Sequence, residues 1–441
     1  MAARTAEAKG RYLAAFENLR AHAGSPPWFA DVRERAIARF EEMGFPTTRM
    51  EGWKYTDVTK AVDREYASTE VAPAISLDAI QPWLLDEAAD SRLVFVDGRY
   101  SPALSSGGGL ASVVAVDLLD ALEAKVLGLR ENFAVLVPYE TEAFAALNTA
   151  LTEGGAVISI PDGRIVEQTI HVLYVSSAGS APTLSNPHTV VVAGKGSVAR
   201  LVESFVSLGV GASFTNTVAE IAVGDGAMVE HYRVQNESLA SLHVGSTDVR
   251  VGRGASYGSV SIALGAALSR HDLRVELADE HAACVIDGLY VMDGRRHCDS
   301  HTVIHHAVPR ATSSQLYKGV LDGASRAVFN GKVVVHRDAQ KSEAHQTNRN
   351  LLLSNGARVD TKPELEIFAD DVVCSHGATV GALDEEEQFY LASRGLDEDT
   401  VRGLLTYGFA EEIIARIKTE SLRRQLDAVI LGRFRNGPDI R

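Results

Sequence analysis

Apolar residues open this chain at helical spacing. Tyr12, Leu13, Phe16 and Leu19 recur every three or four positions between Ala6 and Ala21, which predicts an amphipathic helix. Pro26 and Pro27 interrupt it and restart a second helix through Trp28, Val32, Ala36 and Phe40, closed by Gly44. Residues 45 to about 155 are mixed. Leu93-Val-Phe-Val-Asp-Gly98 reads as a strand and turn, and Ser105-Ser-Gly-Gly-Gly109 as a loop.

From about 156 to 382 the period shortens to runs of roughly four to eight residues rich in valine and isoleucine, punctuated by glycine. A turn recurs at Gly194-Lys-Gly-Ser197, Gly224-Asp-Gly-Ala227, Gly252-Arg-Gly-Ala255, Leu321-Asp-Gly-Ala324 and Ser354-Asn-Gly-Ala357, with a weaker copy at Asp279-Glu-His-Ala282. Adjacent copies lie roughly 30 residues apart, the spacing of stacked repeat units. No long helical pattern separates the strands, which disfavours βαβ crossovers and leaves a parallel β-helix or an antiparallel sandwich. The repeat favours the β-helix, whose coils cover one another's strand edges.

Helical spacing returns in the last 60 or so residues. Asp384 with Glu387 predicts a capped helix through Phe389, Tyr390 and Leu391, ended by Gly395. Asp397, Glu398 and Asp399 place negative charge at the start of the next helix, through Val401, Leu404 and Leu405 to Gly408. A third carries Ile413, Ile414, Ile417, Leu422, Leu426, Val429 and Ile430. Such short helices cannot bury their apolar stripes alone and are expected to dock on the β-region or on a partner. The division expected is a mostly helical or mixed region over 1–155, a β-helix core over 156–382 and a helical region over 383–441.

Composition narrows the classes. The chain has 441 residues, 46% hydrophobic and 23% charged, an ordinary globular balance with room for more than one structural unit. A net charge of −15 argues against nucleic acid or an anionic membrane as partner. No apolar run approaches a membrane span and no signal-peptide core stands at the start, so the expected location is the cytoplasm. Three cysteines do not suggest a disulfide framework.

Two of the candidate metal ligands stand out. In Asp370-Asp-Val-Val-Cys-Ser-His-Gly-Ala-Thr-Val-Gly381, Cys374 and His376 are two positions apart, so a strand points both to one face. Thiolate and imidazole hold zinc, iron and iron–sulfur clusters, but two ligands make half a tetrahedral site. A second set lies in His281-Ala-Ala-Cys284 and Arg296-His-Cys-Asp-Ser-His301 through His305-His306. There Cys298 and His301 could pair on a metal, His301 and His305 would share a face, and Cys284 and His306 belong to the same candidate set; hydrogen-bonded histidines along a β-helix are the alternative. The carboxylate pairs Glu364/Glu366 and Asp370/Asp371 have the residue types of a glycosidase, with little aromatic content to stack sugars. No Gly-x-x-x-x-Gly-Lys-Ser/Thr motif is present, so the chain is not expected to hydrolyse ATP. Trp53 and Tyr55 suit either an interaction anchor or a packed aromatic pair, and Lys332 and Arg337 either a basic interior patch or a solvated face.

The stretch Thr361–Gly381 resembles the signature of the SufB/SufD family of iron–sulfur cluster assembly subunits. Ser375-His-Gly-Ala-Thr379 is similar to the form its SufD branch carries, where SufB typically has Glu-His-Glu-Ala-Thr. Gln315-Leu-Tyr-Lys-Gly319, Phe329-Asn-Gly-Lys332, Asn348-Arg-Asn-Leu-Leu-Leu-Ser354 and Phe45-Pro-Thr-Thr-Arg-Met-Glu-Gly-Trp-Lys-Tyr-Thr56 extend the resemblance along the chain. It implies a right-handed parallel β-helix flanked by helical regions, and a non-catalytic scaffold in complex with SufB and the ATPase SufC. It also implies a transient iron or iron–sulfur cargo at the SufB interface, held by His376 with Cys374, and SufC docking on the C-terminal helices around Phe389, Tyr390, Arg394, Leu404, Tyr407 and Phe409. The competing expectations are a homodimeric β-helix binding protein and, more remotely, a carbohydrate-active enzyme.

Overall fold

The computed structural model describes residues 2–435 except 23, 24, 111, 127, 178 and 180. Its centre is a parallel β-solenoid, in which successive strands alternate between two facing sheets. One sheet runs through Ile165–Ser176, Val198–Ser207, Met228–Asn236, Ser256–Ala263, Ala283–Met292, Thr312–Leu321, Glu343–Leu352 and Val373–Gly381. The other runs through His188–Ala193, Ser213–Val223, Leu242–Val251, Leu268–Leu277, His297–His306, Arg326–Val335 and Arg358–Ile367. The expected β-helix core is therefore present, and each coil takes about 30 residues, within the range of stacked repeats.

Turn chemistry explains the repeat. At most of these corners one residue adopts the left-handed conformation, which glycine enters without a Cβ clash; the corner at Ser354–Ala357 is the exception. Gly196, Gly226 and Gly254 do so with φ of 62°, 65° and 60°. His281, in the weak copy of the motif, takes the same position with φ of 61°. Arg310 and Lys341 occupy equivalent corners that the glycine pattern could not reveal. These corners stack: Gly226 N donates to Arg253 O at 2.8 Å and Gly254 N to Glu280 O at 3.0 Å.

Alternation sends one set of side chains into the bore and the other outward. The bore is apolar along one side, with Ile221, Val249, Val275, Ile304 and Val333 stacked in one cluster with Leu201, Val229, Tyr257 and Ile286. Its other side is polar and buried. Glu203 accepts hydrogen bonds from Thr189 at 2.7 Å and His231 at 2.9 Å, and Glu237 accepts from Thr215 and His243, each at 2.6 Å. Arg233 lies between them and donates to His243 Nε2. A guanidinium only donates, so His243 Nε2 must accept, and its Nδ1–H faces Glu237. Burial, the largest influence, holds the His243 imidazole below its ordinary pKa.

Both outer faces receive helices. The N-terminal helices Ala2–His22 and Pro27–Met43, with Ala143–Leu151, pack Tyr12, Phe40 and Phe144 on Phe214 and Val218 of the second sheet. Glu398–Ile414 and Glu420–Arg435, with Ile417 between them, press Ile413, Ile417, Leu422 and Leu426 on Val260, Ile262 and Val291 of the first. The C-terminal stripes thus dock on the β-region. Gly408, expected to end a helix, lies within Glu398–Ile414, because tertiary packing of the flanking stripe outweighs the weak helix preference of one glycine.

The tightest close approach in the bore is at Gly319, where a Cβ would stand 2.0 Å from the Tyr290 ring and 2.4 Å from Asn350 Oδ1. Gly319→Ala should lower stability by about 1–3 kcal/mol through overpacking. Gly258→Ala, whose Cβ would meet nothing nearer than 3.9 Å, should stay within about 0.5 kcal/mol. Chemical denaturation of the two variants side by side checks this.

Candidate functional site

The candidate ligands sit at the far end of the solenoid. Val373–Gly381 is the last strand of its sheet and pairs only with Glu343–Leu352; Arg358–Ile367 is likewise the last strand of the other. The backbone register sets Cys374 beside Ala344 and His376 beside Gln346. Ala344 and Gln346 are buried in the bore, so Cys374 and His376 continue two bore-facing rows, one through Ser313 and Cys284, the other through Gln315 and Ile286. The spacing of two thus places both side chains on one face, as a strand requires.

Because no coil follows, this face is open. Cys374 is half-buried, packed at the edge of the apolar bore cluster, and His376 is exposed. Around them the end of the solenoid carries Phe368 at 61% and Val373 at 59% exposure, with Ile367 and Val380 also exposed. Among the described residues, no three His, Cys, Asp or Glu side chains are gathered to hold a metal. Among those residues the pair has no third ligand.

The three thiols differ in environment. Burial pushes Cys284 up to about 12 and Cys298 up to about 11, in the latter against hydrogen bonds from Ser269 and Ser300. Burial also raises the Cys374 thiol, against a backbone hydrogen bond at Ala344 that pulls it down. All three are therefore protonated thiols at neutral pH, and Cys374 alone is reachable from solvent.

The second candidate set does not come together. Cys298 faces the bore and is buried, whereas His301, three positions on, faces outward and meets Asp299 at 2.9 Å. An odd offset in a strand changes faces, which excludes a Cys298–His301 metal pair. His301 and His305 do share the outer face. His306 lies in the bore, bonded to Ser313 at 2.8 Å, and Cys284 lies in the opposite sheet.

Other candidates resolve similarly. Trp53 is buried with Phe144 and carries the Arg270 guanidinium 3.8 Å from its ring centroid, while Tyr55 is exposed, so the two are not a packed pair. Arg270 also donates to Asp299 at 2.7 Å, and Thr56 donates to the same carboxylate at 2.6 Å. Burial works against ionisation of Asp299, yet the Arg270 guanidinium and the neighbouring His301 together hold it below the usual carboxylate range. Lys332 faces outward and pairs with Glu366 at 2.6 Å, and Arg337 is exposed in a turn, so they form no interior patch. Glu364 pairs with Lys362 at 2.9 Å and Asp371 with Lys341 at 3.0 Å, on the solvent side.

On the C-terminal helices, Phe389 at 77% exposure, Tyr390, Arg394 and Leu404 face solvent. Tyr407 instead donates to Asp427 at 2.9 Å, and Phe409 lies under the Lys318 ammonium at 4.2 Å. A groove of about 520 Å³ joins Val380 and Gly381 of the Cys374 strand to Leu404, Leu405 and Phe409. What sequence reasoning missed is the buried ion network of Glu203, His231, Arg233, Glu237 and His243. Charge alternating with valine gives it no distinct signal, since the pattern is the same on a solvent face.

Comparison with known proteins places this architecture. Residues 174–409 match the family model described as "SUF system FeS cluster assembly, SufBD core domain", and residues 6–172 match "SufBD protein N-terminal region". The chain belongs to the SufBD family. Among its relatives, an iron–sulfur cluster assembly SufBD family protein of Synechocystis is 35% identical over 407 residues, covering 89% of this chain and 88% of that one. The iron–sulfur cluster assembly protein SufD of Escherichia coli is 32% identical over 410 residues, covering 89% and 90%. SufD of Bacillus subtilis is 28% identical over 425 residues, covering 92% and 94%. Among the described residues of this SufBD chain, no helix is long and apolar enough to cross a membrane.

The environments of the thiols make a direct prediction. A small alkylating reagent at pH 8 should modify one thiol per native chain, and Cys374→Ser should remove that reaction. The rate should climb as pH rises through and above the ordinary thiol range of about 8.5, since the thiolate reacts and its pKa is raised. Labelling of Cys284 or Cys298 before unfolding would contradict the assignment.

Proposed function

We propose that this chain is a non-catalytic scaffold subunit for iron–sulfur cluster assembly. In this reading it joins a SufB-type subunit across the open end of its solenoid and carries a SufC-type ATPase on its C-terminal helices. The observation that carries it is the half-site: Cys374 and His376 share the bore-facing side of an edge strand, with no third ligand gathered there among the described residues. A strand edge with unpaired backbone groups and exposed apolar neighbours is a natural surface for another chain. His376, with Cys374 as second ligand, then contributes to holding iron or a nascent cluster as cargo, and the partner contributes the rest. A ligating thiol must lose its proton, so capture of the cargo at Cys374 releases one.

Phe389, Tyr390, Arg394 and Leu404 supply an exposed aromatic and aliphatic patch of the composition found at interface hot spots. The groove between Leu404 and Val380 sets the C-terminal helices against the strand that carries the half-site. An ATP-driven movement of the docked subunit would strain the edge strand and change access to Cys374, the simplest coupling of nucleotide to cargo.

Two experiments test the two halves separately. Anaerobic reconstitution of the chain with SufB- and SufC-type partners, read by visible absorption, should lose cluster loading in Cys374→Ser and His376→Ala while the complex still assembles. Normal loading in both variants would remove the half-site. Leu404→Glu should weaken association with the SufC-type partner by tenfold or more, leaving SufB-type association unchanged. A stable self-dimer on size exclusion that ignores both partners would favour the homodimeric binding protein instead.

A further inference from the structure

Two histidines on the outer face of the second sheet bring ring nitrogens within reach of each other. His305 projects outward from His297–His306, between the bore-facing Ile304 and His306. His336 follows Arg326–Val335 one coil later, and its backbone N–H donates to His306 O at 3.0 Å, so the ladder continues through it. Alternation turns His336 outward as well, since Val335 is buried in the bore cluster. The result is a diagonal pair with His305 Nδ1 3.3 Å from His336 Nε2 and ring centroids 5.5 Å apart.

That nitrogen separation is at the long limit of an N–H···N hydrogen bond. It is also the edge of a coordination tetrahedron: with metal–nitrogen bonds of about 2.0–2.1 Å, two imidazoles on one ion place their nitrogens about 3.3–3.4 Å apart. The separation of the two nitrogens is therefore already that of two imidazoles on one ion. His336 is exposed and His305 half-buried, so the pair is open to solvent. Carboxylates flank it along the same face. Glu276 is in register with His305 on the preceding coil, and it makes a loose ion pair to Arg250 at 3.8 Å. Glu366 is in register with Val334 on the following coil, held by Lys332.

We propose that His305 and His336 form a surface site for a divalent transition ion of the kind imidazole prefers, with zinc, nickel and copper as the class. Two protein ligands leave the remaining positions to water, since among the described residues no third His, Cys, Asp or Glu is gathered with the pair. Such a site binds exchangeably, unlike the closed four-ligand sites that hold structural zinc. It lies on the sheet opposite Cys374 and His376 and does not depend on the scaffold reading.

The test is titration of the full chain with Zn²⁺ alone, followed by calorimetry. His336→Gln and His305→Gln should each weaken one zinc-binding event by tenfold or more, while Cys374→Ser/His376→Gln leaves that event unchanged. Since His336 is exposed, its substitution should leave the fold intact, and the thermal midpoint without zinc checks that. A second readout is Cu²⁺ electron paramagnetic resonance, which should show two nitrogen ligands that fall to one in His336→Gln. Zinc binding that survives both histidine substitutions, or that disappears in Cys374→Ser/His376→Gln, overturns the proposal.

Discussion

Hydrogen bonding between one coil and the next is the constraint from which this molecule follows. Each interior strand of the solenoid satisfies its backbone on two sides, and that continuity keeps a long stack of short strands in register. The ladder has to stop, and it stops at Arg358–Ile367 and Val373–Gly381. Helices cover the outer faces of earlier coils, but among the described residues neither helical region packs its apolar cluster on the last strands. Whatever those last strands present is offered outward, which is why a cysteine and a histidine in bore-facing rows become reachable there and nowhere earlier.

The bore gives the edge its rigidity at some cost. Burying Glu203, Glu237 and Arg233 removes three charges from water, a penalty offset only by close pairing and full hydrogen bonding. Both carboxylates are held below the ordinary range although burial alone would raise them. His231 and His243 are among the groups that reverse it. Networks of this kind penalise any slip of one coil against the next, because a shift by one residue would expel every partner from the bore. A strand at the end of such a stack inherits a fixed direction for its side chains.

Much of this was legible in the chain itself. Short valine-rich runs and glycine corners about 30 residues apart identify stacked β coils, because the left-handed corner needs glycine or a residue tolerant of it. His281, Arg310 and Lys341 show the limit of that signal, since each takes the corner without glycine. The shared face of Cys374 and His376 follows from strand period alone. The same period, applied to an odd offset, rules out Cys298 with His301, which proximity in sequence had suggested. The buried ions of the bore could not be read, because a charged residue alternating with valine looks the same whether it faces solvent or a bore. Nor could the open end, which depends on where the covering helices dock and not on any local motif. Pairs such as His305 and His336 are set by coil-to-coil register, which sequence spacing of 31 residues leaves undetermined to within a position or two.

The central claim is that the last coil is an unfinished edge completed by another chain. Amide hydrogen exchange resolves it strand by strand. Alone, Val373–Gly381 should exchange much faster than the interior strand Ala283–Met292, and in complex with a SufB-type partner it should become strongly protected while the interior strand is unchanged. Protection of Val373–Gly381 in the isolated monomer equal to that of the interior, or no change when the complex forms, would contradict the account.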